Sequence, residues 1–297
     1  MARFSRRDFL KTAAVSAGAL ATGGLALPLK AARRSATDWV TLGDSGIKVT
    51  RLAFGTGTFG GRVQREMGQE EFTRVVRHAY DRGVRFFETA DSYREMQVRL
   101  ATALKGLPRD SYKLMTKYRL REMENPGATI DRLRKEMDSE YFDILLLHCV
   151  RGPDWPEQFK KLRDHFSEAK SRKILLAHGA SCHGLLPLRR FPGEKWLDVA
   201  LLRVNHNGAR MDNLRGDETG TGDVPEVVSH IAKVRQQGTG VIGMKLIGEG
   251  SFKSPEDRDA SIKFVMKLGA VDSVTIGFKT TAEVDEAIER MNTHLNA

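Results

Sequence analysis

The sequence predicts a (β/α)8 barrel preceded by a β-hairpin, and two observations carry that expectation. An apolar run followed by an amphipathic segment of helical period recurs eight times in about 250 residues. The runs are continuous rather than alternating, as in Ile144, Leu145, Leu146 and Leu147. Strands covered on both faces read that way, which points to a parallel sheet under helices. A doubly wound open sheet is the alternative, and eight units are more than most open sheets need.

The hairpin comes first. Residues 39–42 and 47–52 form two short alternating runs around Gly43-Asp44-Ser45-Gly46, a turn composition. The barrel strands then fall at 51–54, 84–87, 112–116, 142–147, 173–178, 198–203, 240–244 and 273–276. The helices fall at 69–82, 97–105, 129–139, 156–171, 185–190, 225–237, 255–268 and 282–291. The first long helix shows the reasoning: Phe72, Val75, Val76 and Ala79 share one face, while Glu70, Arg74 and Arg77 do not. Residues 207–223, rich in Gly, Asn and Asp, read as a loop inserted between the sixth strand and its helix. No internal linker divides this region, so residues 36–297 are expected to form one domain.

Composition narrows the function classes. The formal net charge is +10, but residues 1–34 carry seven basic residues against one acidic. The rest of the chain has only a mild basic excess, without a basic run or aromatic–basic interleaving, so a nucleic-acid partner is not expected. Cys149 and Cys182 are the only cysteines. They form no Cys-x-x-Cys pair and no disulfide ladder, and two free thiols are the simplest reading.

In barrels of this kind the chemistry sits at the carboxyl ends of the strands. The first strand ends in Gly55-Thr56-Gly57, the second in Glu88, Asp91 and Tyr93, the third in Lys117 and the fourth in His148-Cys149. The fifth ends in Ser181-Cys182-His183, the sixth in Asn205-His206-Asn207, the seventh in Lys245 to Gly250, and the eighth in Lys279-Thr280-Thr281. A phenol, an ammonium, an imidazole and a carboxylate at one mouth make a proton-relay set. The ammonium is expected to lower the pKa of the phenol, the carboxylate to hold the ammonium, and the imidazole to orient a carbonyl oxygen. His148, Cys149, Cys182, His183 and His206 are also metal-ligand types. Adjacent strand residues point opposite ways, however, so His148 and Cys149 do not easily share an ion, and no metal is expected. A carboxylate-based hydrolase using Glu88 and Asp91 is disfavoured by their closeness in sequence.

Taken in order, these motifs resemble the aldo-keto reductase family over residues 39–291. Leu42-Gly43, Gly46, Val49 and Leu52–Thr56 resemble its hairpin and first strand. Glu88-Thr89-Ala90-Asp91-Ser92-Tyr93 resembles its Asp-Thr-Ala-x-x-Tyr motif. Met115-Thr116-Lys117 resembles its lysine motif, Asp143 to His148 its Asp-Leu-x-Leu-x-His, Gly179-Ala180-Ser181-Cys182 its Gly-Val-Ser-Asn, and Ile276 to Thr281 its closing phosphate motif. The resemblance implies Tyr93 as general acid, Lys117 as its activator, His148 as the substrate-orienting group and Glu88 at the position of the family's catalytic Asp.

It also implies NADP(H), with NAD(H) as the alternative, and a small-molecule carbonyl substrate: an aldehyde, ketone or sugar-like compound. The cofactor positions are Gly55, Thr56, Gly57, Ser181, Asn205, Met244, Lys245, Leu246, Gly248, Lys279, Thr280 and Thr281. Lys279 is the expected partner of a 2′-phosphate. Several positions depart from the family pattern: Cys182 stands for an amide-binding Asn, Leu201 for a Gln, Met244 for a stacking aromatic and Asp285 for a basic residue. These departures keep a second reading open, a barrel that has lost hydride transfer and binds a carbohydrate-like ligand.

Residues 1–35 read as a targeting segment. Ser5-Arg6-Arg7-Asp8-Phe9-Leu10-Lys11 resembles a twin-arginine export signal, followed by a weakly apolar Ala/Gly-rich stretch too short and too small-residued for a membrane span. The twin-arginine machinery is the implied partner, and the expected location is periplasmic or exported, with a membrane tether if the signal stays uncleaved.

Overall fold

Eight parallel strands close into a barrel in the computed structural model of the protein, which describes residues 33–297. The targeting segment predicted at 1–35 lies almost wholly outside the described residues. Two short antiparallel strands, β1 (Trp39–Thr41) and β2 (Lys48–Thr50), form the expected hairpin, with Val40 opposite Val49. The barrel strands are β3 (Leu52–Gly55), β4 (Phe86–Glu88), β5 (Lys113–Arg119), β6 (Phe142–Val150), β7 (Leu175–Cys182), β8 (Val199–Arg203), β9 (Gly240–Met244) and β10 (Ser273–Gly277). They pair in chain order, and β10 pairs back onto β3 through Val274–Leu52 and Ile276–Phe54.

Strand alternation sorts the side chains into two cores. Ala53, Phe86, Met115, Ile144, Leu146, Ala177, Val199, Leu201 and Ile242 fill the barrel interior, and Leu42 and Val49 of the hairpin join them. Leu52, Phe54, Phe87, Leu145, Leu147, Ala200, Leu202 and Val274 point outward into the layer under the helices. The sequence reads as unbroken apolar runs because both sets are buried.

The long helices are α2 (Gln69–Asp81), α3 (Met96–Leu104), α4 (Pro126–Glu136), α6 (Lys160–Ser171), α8 (Val224–Gln236), α9 (Pro255–Lys267) and α10 (Thr281–Leu295). The short α1 (Arg62–Glu66), α5 (Trp155–Gln158) and α7 (Leu185–Leu188) complete the set among the described residues. The predicted helix over 129–139 begins earlier, because Asn125 caps it by accepting from the Ala128 N–H at 3.1 Å and Pro126 occupies the first turn. The predicted helix over 156–171 is two helices. The chain bends at Phe159 (φ −103°, ψ 20°), and the rings of Trp155 and Phe159 are both buried. Gly55, Gly57 and Gly60 carry the Gly-x-Gly-x-x-Gly spacing of a dinucleotide turn. Here that stretch follows a strand of a closed barrel and leads into a five-residue helix, so it is not the turn of a doubly wound fold.

The loop at 207–223 is present as predicted and is folded by its own polar groups. The Asn205 side chain accepts from Gly208 N–H at 2.8 Å and donates to the Ala209 and Lys245 carbonyls at 2.8 and 3.2 Å. Asp212 accepts from the Gly184 N–H at 2.7 Å, which ties the loop to the end of β7.

Candidate active site

The alternation that fills the barrel with apolar side chains continues for one more step at each strand's carboxyl end, and there it places polar groups. Glu88 follows Phe86 inward, Lys117 follows Met115, His148 follows Leu146, Ser181 follows Ala177 by two steps, and Arg203 follows Leu201. Thr275 and Gly55 complete the layer on β10 and β3.

Lys117 is the centre of this layer and is almost wholly buried. Its Nζ donates to the Glu88 carboxylate, to the Thr89 carbonyl at 2.8 Å and to Tyr93 Oη at 3.1 Å. An ammonium has three N–H donors, and each has an acceptor. Because Tyr93 Oη accepts from Lys117, its own hydrogen is free for another partner. Glu88 Oε2 accepts from Thr275 Oγ1 at 3.2 Å, so the longer carboxylate spans from the lysine to β10. Gly55 makes room for it: a Cβ there would stand 2.6 Å from Thr275 Oγ1 and 3.0 Å from Glu88 Oε2. Gly57 does the same for Tyr93, since a Cβ would stand 2.7 Å from its Cζ and Oη.

The phenol does not titrate as the residues alone suggest. Burial, reinforced by the Glu88 carboxylate, pushes Tyr93 well above the ordinary phenol range. Burial lowers Lys117, with Glu88 opposing. The net shift is thus opposite to the one expected from the ammonium alone: desolvation of the phenolate, with the Glu88 carboxylate beside it, outweighs Lys117. Tyr93 stays protonated at neutral pH. His148 packs edge-on against Tyr93 (centroids 5.4 Å apart), and its Nδ1 meets Ser92 Oγ at 2.9 Å. Burial and the neighbouring Lys117 hold it well below the usual imidazole range, so the ring is neutral. Asp91, which its place after the second strand suits to cap a helix or line the mouth, takes no part here. It turns outward to Arg132 of α4 at 3.1 Å, which also removes the second carboxylate a hydrolase would need.

A cleft of about 680 Å³ runs from Tyr93 and Glu88 past Leu201 and Met244 to Lys279 at the far end. The model of the Aldo/keto reductase family matches residues 51–296. The chain belongs to the aldo-keto reductase family. A second family model, for the TAT signal of the ubiquitinol-cytochrome c reductase Fe-S subunit, matches residues 2–30. Among curated proteins, a probable aldo-keto reductase of Glycine max is 28% identical over 124 residues, 37% of this chain and 36% of that protein. L-galactose dehydrogenase of Arabidopsis thaliana is 32% identical over 120 residues, 37% of each chain. The matches thus span little more than a third of these relatives. Among solved structures, an aldo-keto reductase of Pseudomonas aeruginosa superposes with a TM-score of 0.68 at 19% identity, covering 89% of this chain and 98% of that one. An aldo-keto reductase of Bacillus halodurans in its holo form gives 0.67 at 15% identity, covering 87% and 95%. At these identities the likeness is one of fold.

The positions named for a dinucleotide in this aldo-keto reductase divide into two groups. Gly55, Gly57, Met244, Lys245, Leu246 and Lys279 line the cleft. Thr56, Ser181, Asn205, Gly248, Thr280 and Thr281 do not, and several have other engagements. Ser181 Oγ accepts from the Cys149 N–H at 2.8 Å, Asn205 folds the inserted loop, and Thr280 caps α10 by accepting from the Glu283 N–H at 3.2 Å. The backbone N–H of Lys279 donates to Glu283 Oε2 at 2.6 Å, so the helix N-terminus carries its own carboxylate. These hydroxyls and amides looked available in sequence because loop partners are invisible there.

Sequence reasoning missed three residues of the mouth. Arg203 was readable by alternation, one inward step beyond Leu201. Glu249 was not: it accepts from the Phe59 N–H at 3.0 Å, Lys245 Nζ at 2.8 Å and Arg210 Nη1 at 3.1 Å, clasping three loops over the cleft. Glu218 of the inserted loop pairs with Arg151 and lies 3.7 Å from His183 Nδ1. Lys245, Glu249 and Cys149 all take positive φ (65°, 54° and 68°), a strained backbone that turns the chain at the mouth. His206 packs on Phe252 instead, and Cys182 is wholly buried.

Proposed function

We propose that the protein is an exported, NAD(P)(H)-dependent reductase of an aldehyde, ketone or sugar-like carbonyl, with Tyr93 as general acid. The observation that carries this reading is the fully satisfied Lys117 ammonium between Glu88 and Tyr93. It leaves one O–H aimed away from the lysine at a mouth floored by apolar Leu201 and Met244.

A dinucleotide fits the cleft. Its volume lies within the usual range for small-molecule sites. Lys253 and Lys279 along its walls are suited to phosphates, while Lys245 and Arg258 there already pair with Glu249 and Glu286. Lys279 favours the 2′-phosphate of NADP(H), while Glu283 on its backbone N–H leaves NAD(H) as the alternative. The chemistry taken from the bound dinucleotide is a hydride at the carbonyl carbon. The protein's residues do the rest. His148, neutral and held by Ser92, orients the carbonyl oxygen. Tyr93 donates its proton to that oxygen, and the phenolate left behind is stabilised by Lys117 at 3.1 Å. Glu88 keeps Lys117 charged against burial.

The alternative, a barrel that binds a carbohydrate-like ligand without hydride transfer, draws on Ser181 and Asn205 being engaged elsewhere and on the sugar substrate in one relative's name. The intact relay weighs against it, since a barrel that only binds has no use for a buried charged pair aimed at a phenol. The test is titration of NADPH and NADH into the protein, followed by nucleotide fluorescence. Binding of one or both is expected, and binding of neither overturns the proposal.

A further inference from the structure

Across the barrel from Glu88, the mouth holds a cationic cluster that proton transfer does not use. Arg203 is fully buried, and its Nη2 donates to His183 Nδ1 at 2.5 Å. Its Nε and Nη1 have no partner among the described residues. The nearest carboxylate, Asp212, stands 3.8 Å off and is raised by burial to about 7, so it offsets Arg203 only in part near neutrality. A second guanidinium, Arg151, is half exposed and donates to the Glu218 carboxylate and to the Gly216 carbonyl at 3.2 Å. His183 sits between these groups and His148, with ring centroids 6.4 Å from the latter. Burial lowers His183 to about 3, so its ring is neutral; with Nδ1 accepting from Arg203, its proton lies on Nε2.

Two ligands deserve comparison at this cluster. Cys149, His183 and Glu218 offer donor atoms within 4.8 Å of one another, a set that suits a zinc-like ion. But Arg203 already holds the imidazole and Arg151 the carboxylate, and both would repel a divalent cation. An anion is attracted by both. One is there already: Glu218, supplied by the inserted loop and half exposed, is an internal carboxylate resting on Arg151.

We propose that Arg151 and His183, with the buried Arg203 behind the imidazole, form a carboxylate-binding subsite that Glu218 fills in the free protein, and that the substrate is a carbonyl compound bearing a carboxylate. This rests on the reductase reading above. Substrate binding exchanges one carboxylate for another: Glu218, which His183 and Arg151 hold well below the ordinary carboxylate range, gives up its place and returns to water. A guanidinium prefers a carboxylate for its matched pair of N–H donors, so selectivity follows from Arg151, with Arg203 adding positive charge behind His183.

The test uses para-carboxybenzaldehyde against para-nitrobenzaldehyde, with calorimetric titration of benzoate against benzamide, for the wild type, Arg151→Gln and Glu218→Gln. The wild type is expected to favour the carboxylate in kcat/KM by about tenfold or more. Arg151→Gln should drive the ratio toward one and weaken benzoate. Glu218→Gln, which removes the internal competitor, should raise both. Opposite signs from two half-exposed positions separate the effect from misfolding. Equal kcat/KM for the two aldehydes in the wild type, or benzoate binding no tighter than benzamide and indifferent to Arg151→Gln, overturns the subsite. If neither aldehyde is reduced while benzoate binds in an Arg151-dependent way, the reductase reading fails and the subsite stands.

Discussion

Replacing Glu88 by leucine removes one partner of the buried Lys117 pair while nearly keeping its volume. In the wild type both side chains are almost fully buried, and burial lowers Lys117 while Glu88 raises it. Glu88→Leu leaves the ammonium with only the Thr89 carbonyl and Tyr93 Oη, at 2.8 and 3.1 Å. Breaking a buried pair from one side costs about 3–5 kcal/mol. In a domain of this size that is a fall in Tm of about 6–20 °C at neutral pH. The pH dependence has a definite sign. With the Glu88 contribution gone, the folded-state pKa of Lys117 drops further below its unfolded value of about 10.4. Between those two values the unfolded state binds more protons than the folded one, so the variant gains stability as pH rises, and its deficit against the wild type narrows. Denaturant unfolding of both proteins at pH 7 and at pH 9.5 measures this. A third protein, Glu88→Leu with Lys117→Met, should recover much of the loss, because an apolar pair carries no stranded charge. A single variant within about 0.5 kcal/mol of the wild type, or a deficit that does not narrow with pH, refutes the buried pair as described.

Four further outcomes follow from the geometry. Tyr93→Phe should lower kcat for carbonyl reduction by about 10²–10⁴-fold with nucleotide affinity nearly unchanged, measured by steady-state kinetics and fluorescence titration. In the wild type, the reduction rate should stay flat through neutral pH and lose its proton donor only above pH 10, because Tyr93 lies above the ordinary phenol range; a basic limb near pH 8 would contradict this. Gly57→Ala places a methyl 2.7 Å from Tyr93 Oη and should cut turnover while circular dichroism shows an intact barrel. Glu249→Ala opens the clasp among Phe59, Lys245 and Arg210, and stopped-flow measurement should find nucleotide release faster by about tenfold.

How far the site was legible depended on the kind of contact. Glu88, Lys117 and His148 sit one inward step beyond Phe86, Met115 and Leu146, so strand periodicity alone aims them at one mouth. Arg203 obeys the same rule, one inward step beyond Leu201. Ser181 and Asn205 were placed correctly at strand ends, but their assignment to a cofactor did not foresee that Cys149 and the inserted loop engage them. Glu249 reaches Phe59, 190 residues earlier in the chain, and Glu218 reaches Arg151 across 67. No local pattern encodes either pairing.

The sequence by itself determined the barrel, the hairpin that closes its base and the ring of polar groups at its mouth. Those follow from period-two burial and helical period, which are local and repeat eight times. Only the tertiary structure decided how Tyr93 is poised. A phenol beside an ammonium suggests a lowered pKa, but burial and the Glu88 carboxylate act the other way, and that balance depends on groups brought together from β4, β5 and the loop that carries Tyr93. The closing of the barrel through the β10–β3 pairing brings Thr275 onto the second oxygen of Glu88 and so fixes the carboxylate beside the phenol.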